Sequence, residues 1–191
     1  MSSISDVPDA DELKQLVAGA ADGDQESWNR IVDTFAGLVW SVIRGYRIYG
    51  AAGADVSQTV WLRCVEHLGR IREPERLAAW LATTARHECF RALRKSGRTV
   101  AYSEVPEPDR PSGAEDAFTR VESAQASEAV GAALELVPPR CQVLLRLLST
   151  DPPMSYDDIA EVLEMPKGGI GPTRARCLAH LRLHLEQAGV L

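Results

Sequence analysis

Two short helices joined by a fixed turn close this chain. The segment Ser155-Tyr156-Asp157-Asp158-Ile159-Ala160-Glu161-Val162-Leu163-Glu164-Met165-Pro166 predicts the first of them. Ser155 stands at its cap, with Asp158 three residues on in a capping-box-like position. Ile159, Ala160 and Leu163 form its inward face. Met165-Pro166 makes the turn, because the residue before a proline resists helical geometry. A second helix starts near Gly168-Gly169 and runs to about Leu185. This spacing predicts a helix-turn-helix, a device that lays its second helix in the DNA major groove. The competing reading is an ordinary amphipathic helical hairpin.

On the second helix, Ile170, Leu178, Leu181 and Leu185 fall on one face, and Pro172, Thr173, Arg176 and His180 on the other. From Lys167 to His184 there are four cations (Lys167, Arg174, Arg176, Arg182) and no acid. A merely solvated helix on an acidic protein would mix both signs.

The net charge of the 191 residues is −6, which argues against coating nucleic acid through bulk charge. Its distribution says more. Residues 1–26 hold seven acids and one Lys, residues 86–98 five cations and one acid, and residues 101–128 seven acids and two Arg. Basic segments separated by acidic ones fit local DNA contacts on a protein that should not bind DNA everywhere. The N-terminus lacks a charged-then-apolar signal pattern and no 18-residue apolar run exists, so a cytoplasmic protein with no membrane segment is expected. The four cysteines (Cys64, Cys89, Cys141, Cys177) are scattered without a Cys-x-x-Cys, which predicts free thiols in a reducing compartment.

Hydrophobic periodicity predicts an all-α chain of two small helical domains on a flexible acidic linker, with no strand. Residues 1–10 are expected to be disordered, 11–96 form the first domain, 97–114 the linker and 115–191 the helix-turn-helix domain. Within the first domain, helices are expected over 11–21, 25–46, from Asp55 onward and over 75–95, with 50–53 and 69–74 as loops. All four tryptophans lie in this half, enough to build a core. Pro106, Pro108 and Pro111 with several acids mark the linker. Helices are expected again from about 115 to 137 and over 140–148, broken by Pro138-Pro139.

The combination resembles the extracytoplasmic-function sigma factors of bacterial RNA polymerase, over nearly the whole chain from about 11 to 185. Gly23-Asp24 followed by Trp28, Ile31, Val32 and Phe35 is similar to the start of that family's first domain. Asp55-Val56-Ser57-Gln58-Thr59-Val60-Trp61-Leu62 resembles its Asp-x-x-Gln-x-Val-aromatic segment, and Ala79-Trp80-Leu81 with Ala85-Arg86-His87 and the basic run to Arg98 its promoter-melting helix. The Ser-Tyr-x-x-Ile-Ala-x-x-Leu-x-x-Pro pattern is similar to its upstream-element reader.

The resemblance implies a factor that binds core RNA polymerase, recognises the −10 and −35 promoter elements and promotes initiation, with no cofactor, no metal and no catalysis of its own. It implies polymerase contacts at Asp55, Gln58, Trp61 and Leu62. Core packing is the competing role for Trp61 and Leu62, and helix capping for Asp55. It implies −10 contacts by Arg70, Arg72, Arg76, Thr83, Thr84, His87, Arg91, Arg94, Lys95 and Arg98. Captured bases need a pocket and a stacking or polar partner, and the phosphates need cations. Arg94, Lys95 and Arg98 fit phosphate contacts, which position without specifying sequence. The family usually has Asn where His87 stands, and a surface histidine without a role is the competing reading.

At the −35 element the resemblance implies Ser155, Tyr156, Lys167, Pro172, Thr173, Arg174, Arg176 and His180. The common Val-Lys-Ser-Arg-Leu run is here Ile170-Gly171-Pro172-Thr173-Arg174. Pro172 fits only within the first helical turn, where its missing N–H costs little. Arg174 falls toward the core side, from which a long side chain can snorkel to a phosphate. Expected partners are core RNA polymerase, promoter DNA and an anti-sigma protein, with the free chain a monomer.

Rival readings rest on other features. Cys177, His180 and His184 share a helix face at a spacing that can converge on zinc, but no fourth ligand is evident. A one-component repressor would keep the helix-turn-helix and bind palindromes as a dimer without polymerase; the Asp55–Trp61 motif and the basic run weigh against it. No Gly-rich phosphate loop, nucleophile elbow or His-Glu metal motif points to an enzyme.

Overall fold

The computed structural model describes residues 8–96, 124–150 and 153–190. They form eight α-helices: α1 (Ala10–Ala21), α2 (Gln25–Gly45), α3 (Gly50–His67), α4 (Leu77–Lys95), α5 (Ala124–Leu136), α6 (Pro139–Leu148), α7 (Tyr156–Leu163) and α8 (Ile170–Gln187). Short 3-10 turns precede α4 at Pro74–Arg76 and α8 at Lys167–Gly169. There is no strand among the described residues, so the all-α expectation holds. The expected linker 97–114, Arg98 and most of the expected disordered N-terminus lie outside the described residues.

Local chemistry sets most helix ends. Asp9 caps α1 by accepting from the amides of Asp11 and Glu12. Gly23, at φ +91°, turns the chain so that Asp24 can cap α2 through the Ser27 amide at 2.9 Å. The hydrogen bonds from Ser27 hold the Asp24 carboxyl below its usual range. Ser155 caps α7 as expected: its Oγ accepts from the Asp158 amide at 3.1 Å and donates to the Asp158 carboxylate at 2.7 Å. Ser155→Ala is therefore expected to lower the unfolding free energy by about 1 kcal/mol, read by urea denaturation, with no loss of helix count. Pro172 is the third residue of α8, inside its first turn, as the sequence required.

Two expectations are corrected. The stretch 50–53 is not a loop but the first turn of α3. Ala51, Ala52 and Ala54 are strong helix formers. Gly53 admits a close approach, since a Cβ there would lie 3.2 Å from the Ile48 carbonyl oxygen and from Trp40. Asp55 thus sits inside α3 and does not cap it. The second correction concerns the thiols. Cys141 on α6 and Cys177 on α8 form a disulfide, with Cα atoms 5.2 Å apart. The crossing of two helices 36 positions apart in sequence brings them together, which spacing could not reveal. Cys177 is therefore not available as a zinc ligand, and no cluster of three or more metal-ligating side chains occurs among the described residues.

Ile31, Phe35, Val39 and Ile43 of α2 bury against Leu77 and Leu81 of α4. Val137, Leu144, Leu147, Ile159, Leu163 and Ile170 do the same among α5–α8. The two sets join in one apolar cluster, because α2 crosses α6 and α4 lies along α7.

Candidate nucleic-acid interface and apolar groove

The face of α3 away from the core is apolar. Val56, Val60 and Cys64 bury inward, while Gln58, Trp61, Leu62 and Val65, at i, i+3, i+4 and i+7, form a second stripe. Leu62 is 59% exposed and Val65 52%. Trp28 of α2 meets Trp61 edge to face, with ring centroids 5.9 Å apart, and closes one side of the groove. The groove is lined by Trp28, Gln58, Thr59, Trp61, Leu62 and Val65. Three of the residues expected at a polymerase contact, Gln58, Trp61 and Leu62, therefore share one surface. Asp55 is exposed but does not line it. Trp28 and Val65 were missed because apolar residues at helical spacing read as core.

On α4, His87, Arg91, Arg94 and Lys95 are exposed, and Thr83 and Thr84 half-buried. Arg70 and Arg72 are exposed just before it. His87, Arg91 and Arg94 line a cleft with Arg86, Phe90 and Glu164. Arg86 is the residue that the sequence reading left out of the site. Its side chain is buried, its guanidinium lies 5.0 Å over the Phe90 ring, and Nη1 donates to the Glu164 carboxylate at 2.7 Å. That hydrogen bond, then the arginine's charge, holds the Glu164 carboxyl below its usual range. Glu88 anchors the opposite face of α4, forming ion pairs with Arg63 of α3 at 2.8 Å and Arg91 at 3.1 Å.

The second helix of the helix-turn-helix presents a different face from the expected one. Thr173 is buried and Arg176 and His180 are half-buried, with the Arg176 Nε and His180 Nε2 enclosed. The buried stripe runs Ile170, Thr173, Cys177, Leu181, Leu185, because the disulfide draws the Cys177 side of α8 onto α6. The exposed N-terminal face is instead Lys167, Gly171, Pro172 and Arg174. Arg174 reaches solvent from the edge of the stripe, as its long side chain allows. Ser155 and Tyr156 are exposed, and Lys167 pairs with Asp157 at 2.8 Å.

The remaining thiols, Cys64 and Cys89, are fully buried, and burial pushes both up to about 12. Neither forms an appreciable thiolate at neutral pH. Mass spectrometry of the native, non-reduced chain after iodoacetamide treatment near pH 7.5 is expected to find no alkylated cysteine; rapid labelling of Cys64 or Cys89 would contradict this burial. No helix among the described residues is long and apolar enough to cross a membrane.

Residues 31–99 match the family model of sigma-70 region 2, the segment that holds the basic face of α4 and all of the groove's lining except Trp28. Among solved structures, the chain is similar to CnrH in its complex with the cytosolic domain of CnrY. The two are 20% identical, with a TM-score of 0.62, over 94% of this chain and 99% of that one. No curated protein matches the sequence. The region 2 match covers about a third of the chain, and the likeness to CnrH shows that the chain shares that helical fold.

Proposed function

We propose that this chain is a sigma factor of the extracytoplasmic-function type: it binds core RNA polymerase through the groove between α2 and α3, reads the −10 element with α4 and the turn before it, and reads the −35 element with α7 and α8. Residues 11–96 and 115–191 then act as the two DNA-reading units, with 97–114 as the tether. The groove is the observation that carries the reading. Contiguous exposed apolar surface rimmed by polar groups marks a protein contact, and here all of its lining but Trp28 lies within the region 2 segment. The polymerase performs the chemistry; this chain positions it and holds the opened strand.

Cations on α4 and a pocket floored by Phe90 supply what a captured single strand needs, charge along the phosphates and a ring beside the bases. On α8, Arg174 is the proposed base or phosphate contact, ahead of the half-buried Arg176. CnrH is seen with the cytosolic domain of CnrY, and we propose an anti-sigma protein as a partner of this chain as well. The test is co-elution of the purified chain with bacterial core RNA polymerase in moderate salt without DNA. Stable co-elution is the expected result. Tight binding of duplex DNA by the chain alone, without co-elution, would overturn the reading in favour of a repressor.

A further inference from the structure

Glu88 is the one acid in the basic run of residues 86–98. A carboxylate there opposes the attraction of its neighbours for a polyanion. It is also buried, which is rare for a glutamate without partners. Its partners come from two helices. Arg63 of α3 brings Nε to the Glu88 Oε1 at 2.8 Å, and Arg91, one turn further along α4, brings Nη1 to the same oxygen at 3.1 Å.

The two arginines differ in what they offer. Arg63 has its side chain mostly covered and ties α3 to α4 through the carboxylate. Arg91 is 58% exposed and lines the cleft with Arg86, His87, Phe90 and Arg94. An i,i+3 pair on a helix surface adds little to stability, so the Arg91 contact is not needed to hold α4 in place. Its effect is on Arg91 itself. A free arginine side chain samples many rotamers and loses that freedom when it grips a phosphate. Here one N–H of the guanidinium already rests on an anchored carboxylate. The remaining donors of the planar fork are turned to solvent in a set orientation.

We propose that Glu88 is a positioning residue for strand capture: seated on α3 through Arg63, it holds Arg91 at the rim of the cleft, so that a nucleic-acid phosphate meets an ordered guanidinium. This rests on the proposed role of α4 in holding the opened promoter strand. It accounts for a buried acid in a segment whose task favours cations, and for the convergence of Arg63 and Arg91 on a single oxygen.

Charge and position predict opposite signs for one substitution. Glu88→Ala removes a negative charge beside the basic face, and by charge alone that tightens binding to a polyanion. Loss of positioning weakens it. Fluorescence anisotropy with a short single-stranded oligonucleotide of mixed sequence is measured over a range of salt. It is read for the full chain by itself and in complex with core polymerase, less the signal of core polymerase alone. Arg91→Ala should lower the salt slope by about 0.7, the value of one phosphate contact on a single strand. Glu88→Ala should weaken binding by about threefold or more at low salt. In the Arg91→Ala background it should cause no further loss, since only the charge change remains. Arg63→Met, which keeps an apolar stem and removes the anchor on α3, serves if Glu88→Ala loses helicity by circular dichroism. It should weaken binding more in the wild-type background than beside Arg91→Ala.

Unchanged or tighter binding by Glu88→Ala would overturn the proposal. So would an equal loss in the two backgrounds, which is the mark of a merely structural role, or a wild-type chain that binds the oligonucleotide in neither form. Co-elution of the wild-type chain with core polymerase is measured alongside. Its absence would overturn the sigma reading, whereas the oligonucleotide titrations decide the role of Glu88.

Discussion

Replacing Cys141 and Cys177 together by alanine is expected to destabilise the folded chain by about 4 kcal/mol, the loop-closure entropy of a cross-link spanning some 36 residues. Both side chains are fully buried, and the bond ties α6 to α8 across the core of the helix-turn-helix half. Without it the unfolded chain gains freedom that the folded state must again overcome. The measurement is urea denaturation of the oxidised wild type, the reduced wild type and the double variant. The two forms lacking the bond should agree with each other and fall below the oxidised chain. A difference under about 1 kcal/mol would mean that the bond constrains little. Because α8 carries Arg174, loosening α8 should also weaken duplex binding more than single-strand binding.

Leu62→Asp, and separately Val65→Asp, is expected to weaken binding to core RNA polymerase by about 30-fold or more, the effect of losing an interface anchor of roughly 2 kcal/mol. Both side chains are more than half exposed in the free chain. Surface substitutions of this kind usually move stability by no more than about 0.5 kcal/mol, so the thermal midpoint should hold. In the complex, the same carboxylate would be stripped of water inside an apolar contact without a partner. Titration of labelled polymerase with each variant, beside a thermal melt, separates the two effects. Unchanged affinity in both variants would place the docking surface elsewhere. Asp55→Ala with Gln58→Ala should give a smaller loss, since Asp55 stands outside the groove and Gln58 offers only a polar contact.

Much of the fold was legible locally. The cap at Ser155, the turn at Met165-Pro166 and the position of Pro172 in the first turn of α8 depend on residues within four positions of one another. Side chains that close in sequence fix backbone geometry wherever they are placed. The error at 50–53 arose within the same range: two glycines suggested a loop, but the alanines between and after them favour helix, and Gly53 sits where a Cβ would crowd Ile48 and Trp40. The candidate sites were legible as segments and less so as surfaces. Periodicity marks a helix as having an apolar side, but α3 has two, and only one is covered. Arg176 and Thr173 looked outward on a wheel drawn from Leu178 and Leu181; the wheel had no knowledge that Cys177 is tethered to α6.

What the sequence by itself determined is the set of helices, their caps and turns, the charge segregation and the order of motifs along the chain. These follow from interactions between near neighbours, which any fold of the chain must satisfy. Only the tertiary structure decided which apolar stripe stays open, which cysteines join, and that Arg76 and Arg86 face the carboxylates of α7. Those pairings link residues 36 to 85 positions apart. The disulfide follows from α8 packing on α6, and the ion pairs to α7 accompany the packing of α2 on α6 at Gly45, which has no side chain to hold the helices apart; no local pattern encodes either choice.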